Sequence, residues 1–146
     1  NTASNNLPVE PYFMHKLERN FKDQINPGYA SIVGIYVYSS SYDNGEGWSS
    51  RNIQPGSPLI EQYNNLFFAP EGPDGSLTIT AFGNALNTRK LQVMVNGNNL
   101  IDQSMDYFSA LNSSIKVPKT MLGRAVDTIR VNNASTVGTD RITLGK

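Results

Sequence analysis

Cysteine is absent from all 146 residues, and histidine occurs once, as His15. The first absence removes disulfide staples, thiolate metal sites and cysteine nucleophiles together. The second leaves no His/Cys zinc centre, and any serine triad would have to recruit that one histidine. Charge is scarce as well: 16% of residues are Asp, Glu, Lys or Arg, and twelve basic residues cancel twelve acidic ones. With no net charge and no basic run, nothing steers the chain to nucleic acid or to an anionic membrane surface. No apolar run approaches the roughly 20 residues that cross a bilayer as a helix. Phosphate-cradling glycine loops and EF-hand spacings are missing too. What remains to keep the surface wet is Asn, Ser, Thr, Gln and Gly. That balance is common on secreted and virion proteins, so a secreted or extracellular location is expected, with a virion as the alternative. The opening "NTASNN" has neither a methionine nor an apolar signal segment, and a processed product or excised domain is expected.

The length suits one domain over 1–146 with a core of its own. Residues 1–9 are polar and expected to be flexible. From Pro11 onward Phe13, Leu17 and Phe21 recur every four residues, with Met14 and Ile25 beside them and charges between. This spacing predicts an amphipathic helix over 11–25, opened by Pro11 and stopped by Asn26-Pro27-Gly28.

The period then changes to two. "ASIVGIYVYSS" predicts a strand over 30–39. A polar stretch from Ser39 to Pro58 follows and predicts a long functional loop. Ser57-Pro58 predicts a short helix through Tyr63, and "NLFFA" an apolar strand. "SLTITAF", "KLQVMVNG", "NLI", "SIKVP", "DTIRVNN" and "DRITL" all alternate apolar and polar residues, and "SMDYFSALN" is readable as a helical turn. Asn96-Gly97 marks a tight hairpin turn between two of these strands. Seven or so short strands with turns between them predict an all-β fold, an antiparallel β-sandwich carrying one N-terminal helix.

The order of four elements in the second half is more specific than any one of them. "SLTITAFGNALNTRKLQVMVNGNNLI", "SIKVPKTMLGRAVDTIRVNN" and "TDRITL", over about 77–144, resemble the galactose-binding-like (jelly-roll) β-sandwich of many carbohydrate-binding modules. That resemblance implies a non-catalytic domain that binds a glycan. It also implies a structural calcium held by acidic residues on the first and last strands, which correspond to Glu10 and Asp140. Asn132 and Asn133 match a region that often contributes a polar ligand contact, although a turn-forming Asn pair is the simpler reading of them.

The residues themselves offer one candidate surface. "YDNGEGW" places Trp48, the sole tryptophan, within seven residues of Tyr42, Asp43, Asn44 and Glu46. An indole stacks on the apolar face of a pyranose while polar neighbours bond its hydroxyls. The other reading makes Trp48 a lid folded over the sandwich core, and the two stand open. Glycosidase chemistry needs two carboxylates, one with a raised pKa. Asp43 with Glu46 and Glu71 with Asp74 are near in sequence, but both lie in glycine-rich turns where solvent keeps a carboxylate ordinary. No enzymatic activity is expected. The leading expectation is therefore a carbohydrate-binding module, with glycan as partner. The alternative is a structural virion or surface-assembly protein whose N-terminal helix docks on neighbouring subunits.

Overall fold

The computed structural model describes residues 11–26, 28–32, 35–38 and 47–146. All of its strand pairings are antiparallel. The strands are β1 (Gln24–Ile25), β2 (Tyr29–Ile32), β3 (Ile35–Tyr38), β4 (Trp48–Ser49), β5 (Leu59–Asn64), β6 (Gly75–Gly83), β7 (Thr88–Val95), β8 (Asn98–Asp106), β9 (Ala110–Val117), β10 (Val126–Asn133) and β11 (Ile142–Leu144). A four-stranded sheet runs β5-β10-β7-β8 and a three-stranded sheet runs β11-β6-β9.

Period-two alternation decides which side chains meet. On β7 and β10 the register sets Val93 beside Val131 and Leu91 beside Asn133. Leu91, Val93 and Val131 point into a core shared with Ile79 and Ala81 of β6 and with Ile142 and Leu144 of β11. Both sheets therefore bury one face against the other, the defining feature of a sandwich. Burying a Val, Leu or Ile side chain contributes about 1.5–3 kcal/mol, so these strands hold each other through their inner faces. The hairpin between β7 and β8 turns on Asn96 and Gly97, with φ of 51° and 85°. Both central residues being left-handed is the signature of the type I′ turn the Asn-Gly pair predicts.

The N-terminal expectation fails. No helix is present among the described residues of 11–25; the segment has no regular secondary structure before the two-residue strand β1. Phe21 is buried in the core, whereas Phe13 and Met14 are almost fully exposed. The four-residue stripe is thus split between core and solvent and never forms one face. The backbone explains why. Asp23 N donates to Ser49 O at 3.0 Å and Asn26 N to Gly47 O at 2.8 Å. Those amides find partners across the chain, and an isolated helix of this length is marginal without a docking face.

Four further expectations are corrected. The strand over 30–39 is two strands, β2 and β3, paired with each other so that Ile32 lies beside Ile35. The helix over 57–63 is the strand β5, whose partner β10 takes up its backbone hydrogen bonds. "NLFFA" forms no strand, and Phe67 is exposed. The stretch "SMDYFSALN" divides between β8, a turn and β9.

Candidate functional site

Two neighbourhoods contain the residues singled out from the sequence. The first is built on β1 and β4, where Ile25 pairs with Trp48 and Gln24 with Ser49. The chain after Trp48 does not wander, as a bare loop would. Ser50 N donates to Leu144 O at 2.8 Å, and Ile53 exchanges backbone hydrogen bonds with Ile142. The Ser50 hydroxyl accepts from Leu144 N at 2.9 Å and donates to Arg51 O at 2.8 Å. Segment 47–53 is therefore stitched to β11, with β1 along its other side.

Alternation on this ribbon turns Ser49 inward, where it is buried, and turns Trp48 outward. The indole is 60% exposed and its cross-strand neighbour Ile25 is 62% exposed. Directly paired side chains in an antiparallel ladder lie about 4.5–5.5 Å apart at Cβ, so the two form one apolar patch facing solvent. Trp48 is not a lid on the core. Polar groups flank the ribbon: Gln24 Nε2 donates to Asn52 Oδ1 at 3.2 Å, and Asp23 Oδ2 accepts from Arg51 N at 3.0 Å. Tyr42, Asp43, Asn44 and Glu46 lie outside the described residues.

Asn132 and Asn133 are distant in character from that patch. Asn133 is buried; its Nδ2 donates to Ile53 O at 3.2 Å and its Oδ1 accepts from Ser135 N at 3.1 Å. Its amide ties β10 to segment 47–53 and starts the following loop. Asn132 is half-buried, and its Oδ1 accepts from Arg130 Nε at 2.9 Å.

The second neighbourhood surrounds Asp140, which is fully buried beside Arg89. Arg89 Nε donates to both carboxylate oxygens, at 2.7 and 3.0 Å. Its remaining nitrogens donate to the carbonyls of Tyr107 (2.7 Å), Ala85 (3.0 Å) and Asn87 (2.8 Å). Gly83 makes the passage possible, since a Cβ there would run into Arg89 Nη1 and the Tyr107 carbonyl. A metal at Asp140 does not fit this arrangement, because both carboxylate oxygens already face a cation. Glu10, its expected partner, lies outside the described residues. Among the described residues no group of three or more His, Asp or Glu side chains is placed to hold a metal.

Sequence reading missed Ile25 as the partner of Trp48 and Arg89 as the partner of Asp140. A signal for Arg89 existed. It falls in phase with Leu91, Val93 and Val95 on β7, so a basic residue had to point inward.

In the 71–74 turn, Asp74 is paired with donors. Asp74 Oδ1 accepts from Lys119 N at 2.9 Å, and Lys116 Nζ lies 3.0 Å from its other oxygen. The backbone N–H of Lys119, then Lys116, holds the Asp74 carboxyl below its ordinary range. A general acid needs a shift in the opposite direction. His15 is exposed.

No family model matches the chain, and no curated protein matches it. Among solved structures it is similar to one described as "Carbohydrate-Binding Module CBM36 in complex with calcium and xylotriose", at a TM-score of 0.47 and 11% identity. The match covers 83% of this chain and 87% of that one. That protein is a module of the kind the second half of the sequence resembles, and at this distance no ligand, metal or residue transfers to this chain.

Proposed function

We propose that the protein is a non-catalytic carbohydrate-binding domain that stacks a sugar ring on Trp48. One observation carries the reading: the indole faces solvent from a backbone that is hydrogen-bonded on both sides. An exposed indole of this kind forgoes the burial that would stabilise the fold, yet the strand that carries it is held in place. Stacking surfaces need that combination, because a pre-placed ring loses little conformational entropy on contact. Ile25 widens the apolar footprint. The polar side chains bordering the ribbon suit hydroxyls, whose wet hydrogen bonds gain little net free energy each. Affinity per site is therefore modest. Such a domain works outside the cell or on a virion surface, where glycans are found.

Trp48→Ala tests the reading on two axes. Glycan binding should weaken by about 2 kcal/mol, roughly thirty-fold, as for a central aromatic anchor. The melting temperature should stay close to wild type, since the ring leaves no core cavity behind. Retained binding on a glycan array, or a large fall in the melt, would each overturn it.

A second reading rests on a separate observation. Phe13 is 89% and Phe67 84% exposed, with Met14 and Phe68 beside them in sequence. Large apolar side chains left in solvent suit a surface-assembly protein, whose neighbours would cover them. Solution mass separates the two: a monomer at micromolar concentration favours the sugar-binding domain, and a defined oligomer favours assembly.

A further inference from the structure

We propose that Asn96, in the turn between β7 and β8, is a deamidation site that the folded state keeps closed and whose product the fold rejects. The inference is independent of glycan binding. Deamidation at an Asn-Gly pair needs no enzyme. The Gly97 nitrogen gives up its proton to solvent base and attacks Asn96 Cγ. A new N–C bond closes a cyclic imide, and the Cγ–Nδ2 bond breaks, releasing the side-chain nitrogen as ammonia. Water then opens the imide to an aspartyl or an isoaspartyl residue, with no change of oxidation state. Glycine makes the step easy, since it presents no Cβ to the approaching carbon. Gly97 is exposed, and nothing lies within 4 Å of where its Cβ would be. Solvent therefore reaches the nucleophile, and crowding does not protect the pair.

What protects it is the grip on the Asn96 carboxamide. Nδ2 donates to Asp127 Oδ1 and to Met121 O, both at 2.6 Å, and Oδ1 accepts from Thr128 N at 2.9 Å. The backbone N–H of Asn96 donates in turn to Thr128 O at 2.9 Å. The side chain thus extends the ladder between β7 and β10, and its Cγ reaches Gly97 N only after these contacts break. The same contacts make the product unacceptable. A carboxylate at position 96 has no proton for the Met121 carbonyl, and it would stand beside the carboxylate of Asp127, which is fully buried. Like charges so close oppose each other's ionisation. The isoaspartyl product lengthens the main chain by one carbon inside a two-residue turn, which removes the type I′ geometry. Reaction thus follows opening and prevents reclosing, one of the routes by which unfolding becomes irreversible.

Peptide mass mapping of the full wild-type chain tests the closure. At mildly alkaline pH, Asn96 should convert at least about tenfold more slowly in buffer than in urea, because reaction in the folded state waits on local opening. Digestion separates this pair from Asn44-Gly45, the other Asn-Gly in the sequence. Equal rates at Asn96 in the two conditions would overturn the proposal. After partial reaction in urea and dilution into buffer, the refolded fraction should be depleted in chains modified at position 96. Equal occupancy in the refolded and aggregated fractions would overturn it as well. Asn96→Asp imitates one product and should melt lower than wild type by about 5 °C or more at neutral pH. Adding Asp127→Asn moves the donor to the other side of the pair and should return at least half of that loss. A single variant that melts like wild type, or a double variant no more stable than the single one, would contradict the rejection of the product. If Asn96→Asp does not fold, the rate contrast and the refolding partition, both read on the wild-type chain, decide the outcome.

Discussion

Asp140→Ala should lower the free energy of unfolding by about 3–5 kcal/mol, the scale for breaking a buried ion pair from one side. The loss comes less from the missing attraction than from what stays behind. Arg89 would keep its full charge in a dry site with carbonyl dipoles as its sole remaining partners. The pair's net worth against well-packed apolar residues is much smaller than this figure. Asp140→Asn keeps the shape and one acceptor, so its effect should be smaller than that of alanine. Urea denaturation at neutral pH reads the change, and the slope should be unaltered if the unfolded state is unaffected. A loss under about 1 kcal/mol is the scale of a solvated pair and would contradict the burial described here.

Asp127→Ala should be the next largest, about 2–4 kcal/mol, from orphaned donors at about 1–3 kcal/mol each. Asp127 is fully buried with no cation beside it among the described residues. Its carboxylate instead accepts from Asn96 Nδ2 (2.6 Å), Gly123 N (3.1 Å) and Arg124 N (3.3 Å). Asn96 Nδ2 also donates to Met121 O at 2.6 Å, and Asn96 Oδ1 accepts from Thr128 N at 2.9 Å. One carboxylate thus joins the hairpin turn between β7 and β8 to the connection that leads into β10. Hydrogen exchange should report the loss locally, with protection falling first at Gly123, Arg124 and Thr128. Uniform protection in the variant would mean that water fills the site without penalty.

The strands of the second half were legible because each buries one face. Leu91, Val93 and Val95 alternate against polar neighbours, and Asn96-Gly97 can hardly do anything but turn. The resemblance to carbohydrate-binding sandwiches used the same residues. The first half misled because periodicity records side chains and is blind to backbone partners. Phe13, Leu17 and Phe21 lie four apart, but the amides of Asp23 and Asn26 pair with Ser49 and Gly47. Leu59 to Tyr63 was misread for a related reason. Pro58 suggested a helix start, whereas the neighbouring strand β10 sets the outcome.

The candidate site was half legible. Trp48 stood out by rarity, but nothing local distinguishes an exposed indole from a buried one. That is decided by Ser49 and Ser50 turning inward, with Ser50 meeting Leu144 of β11 nearly a hundred residues away in sequence. Ile25 was assigned to a helix face and is instead the cross-strand neighbour of Trp48. The family resemblance singles out Asp140 as a calcium ligand, whereas its partner Arg89, 51 residues earlier, lies in an alternating strand where a charge is unexpected.

Tryptophan fluorescence tests the central claim most directly, because Trp48 is the one tryptophan in the chain. Free protein should emit at the long wavelength of a hydrated indole. Titration with a panel of soluble oligosaccharides should produce, for at least one of them, a saturable blue shift as a sugar ring covers the indole. An emission already at the wavelength of a buried indole would contradict the exposed ribbon. A hydrated emission that no glycan of the panel shifts would contradict the sugar-binding role.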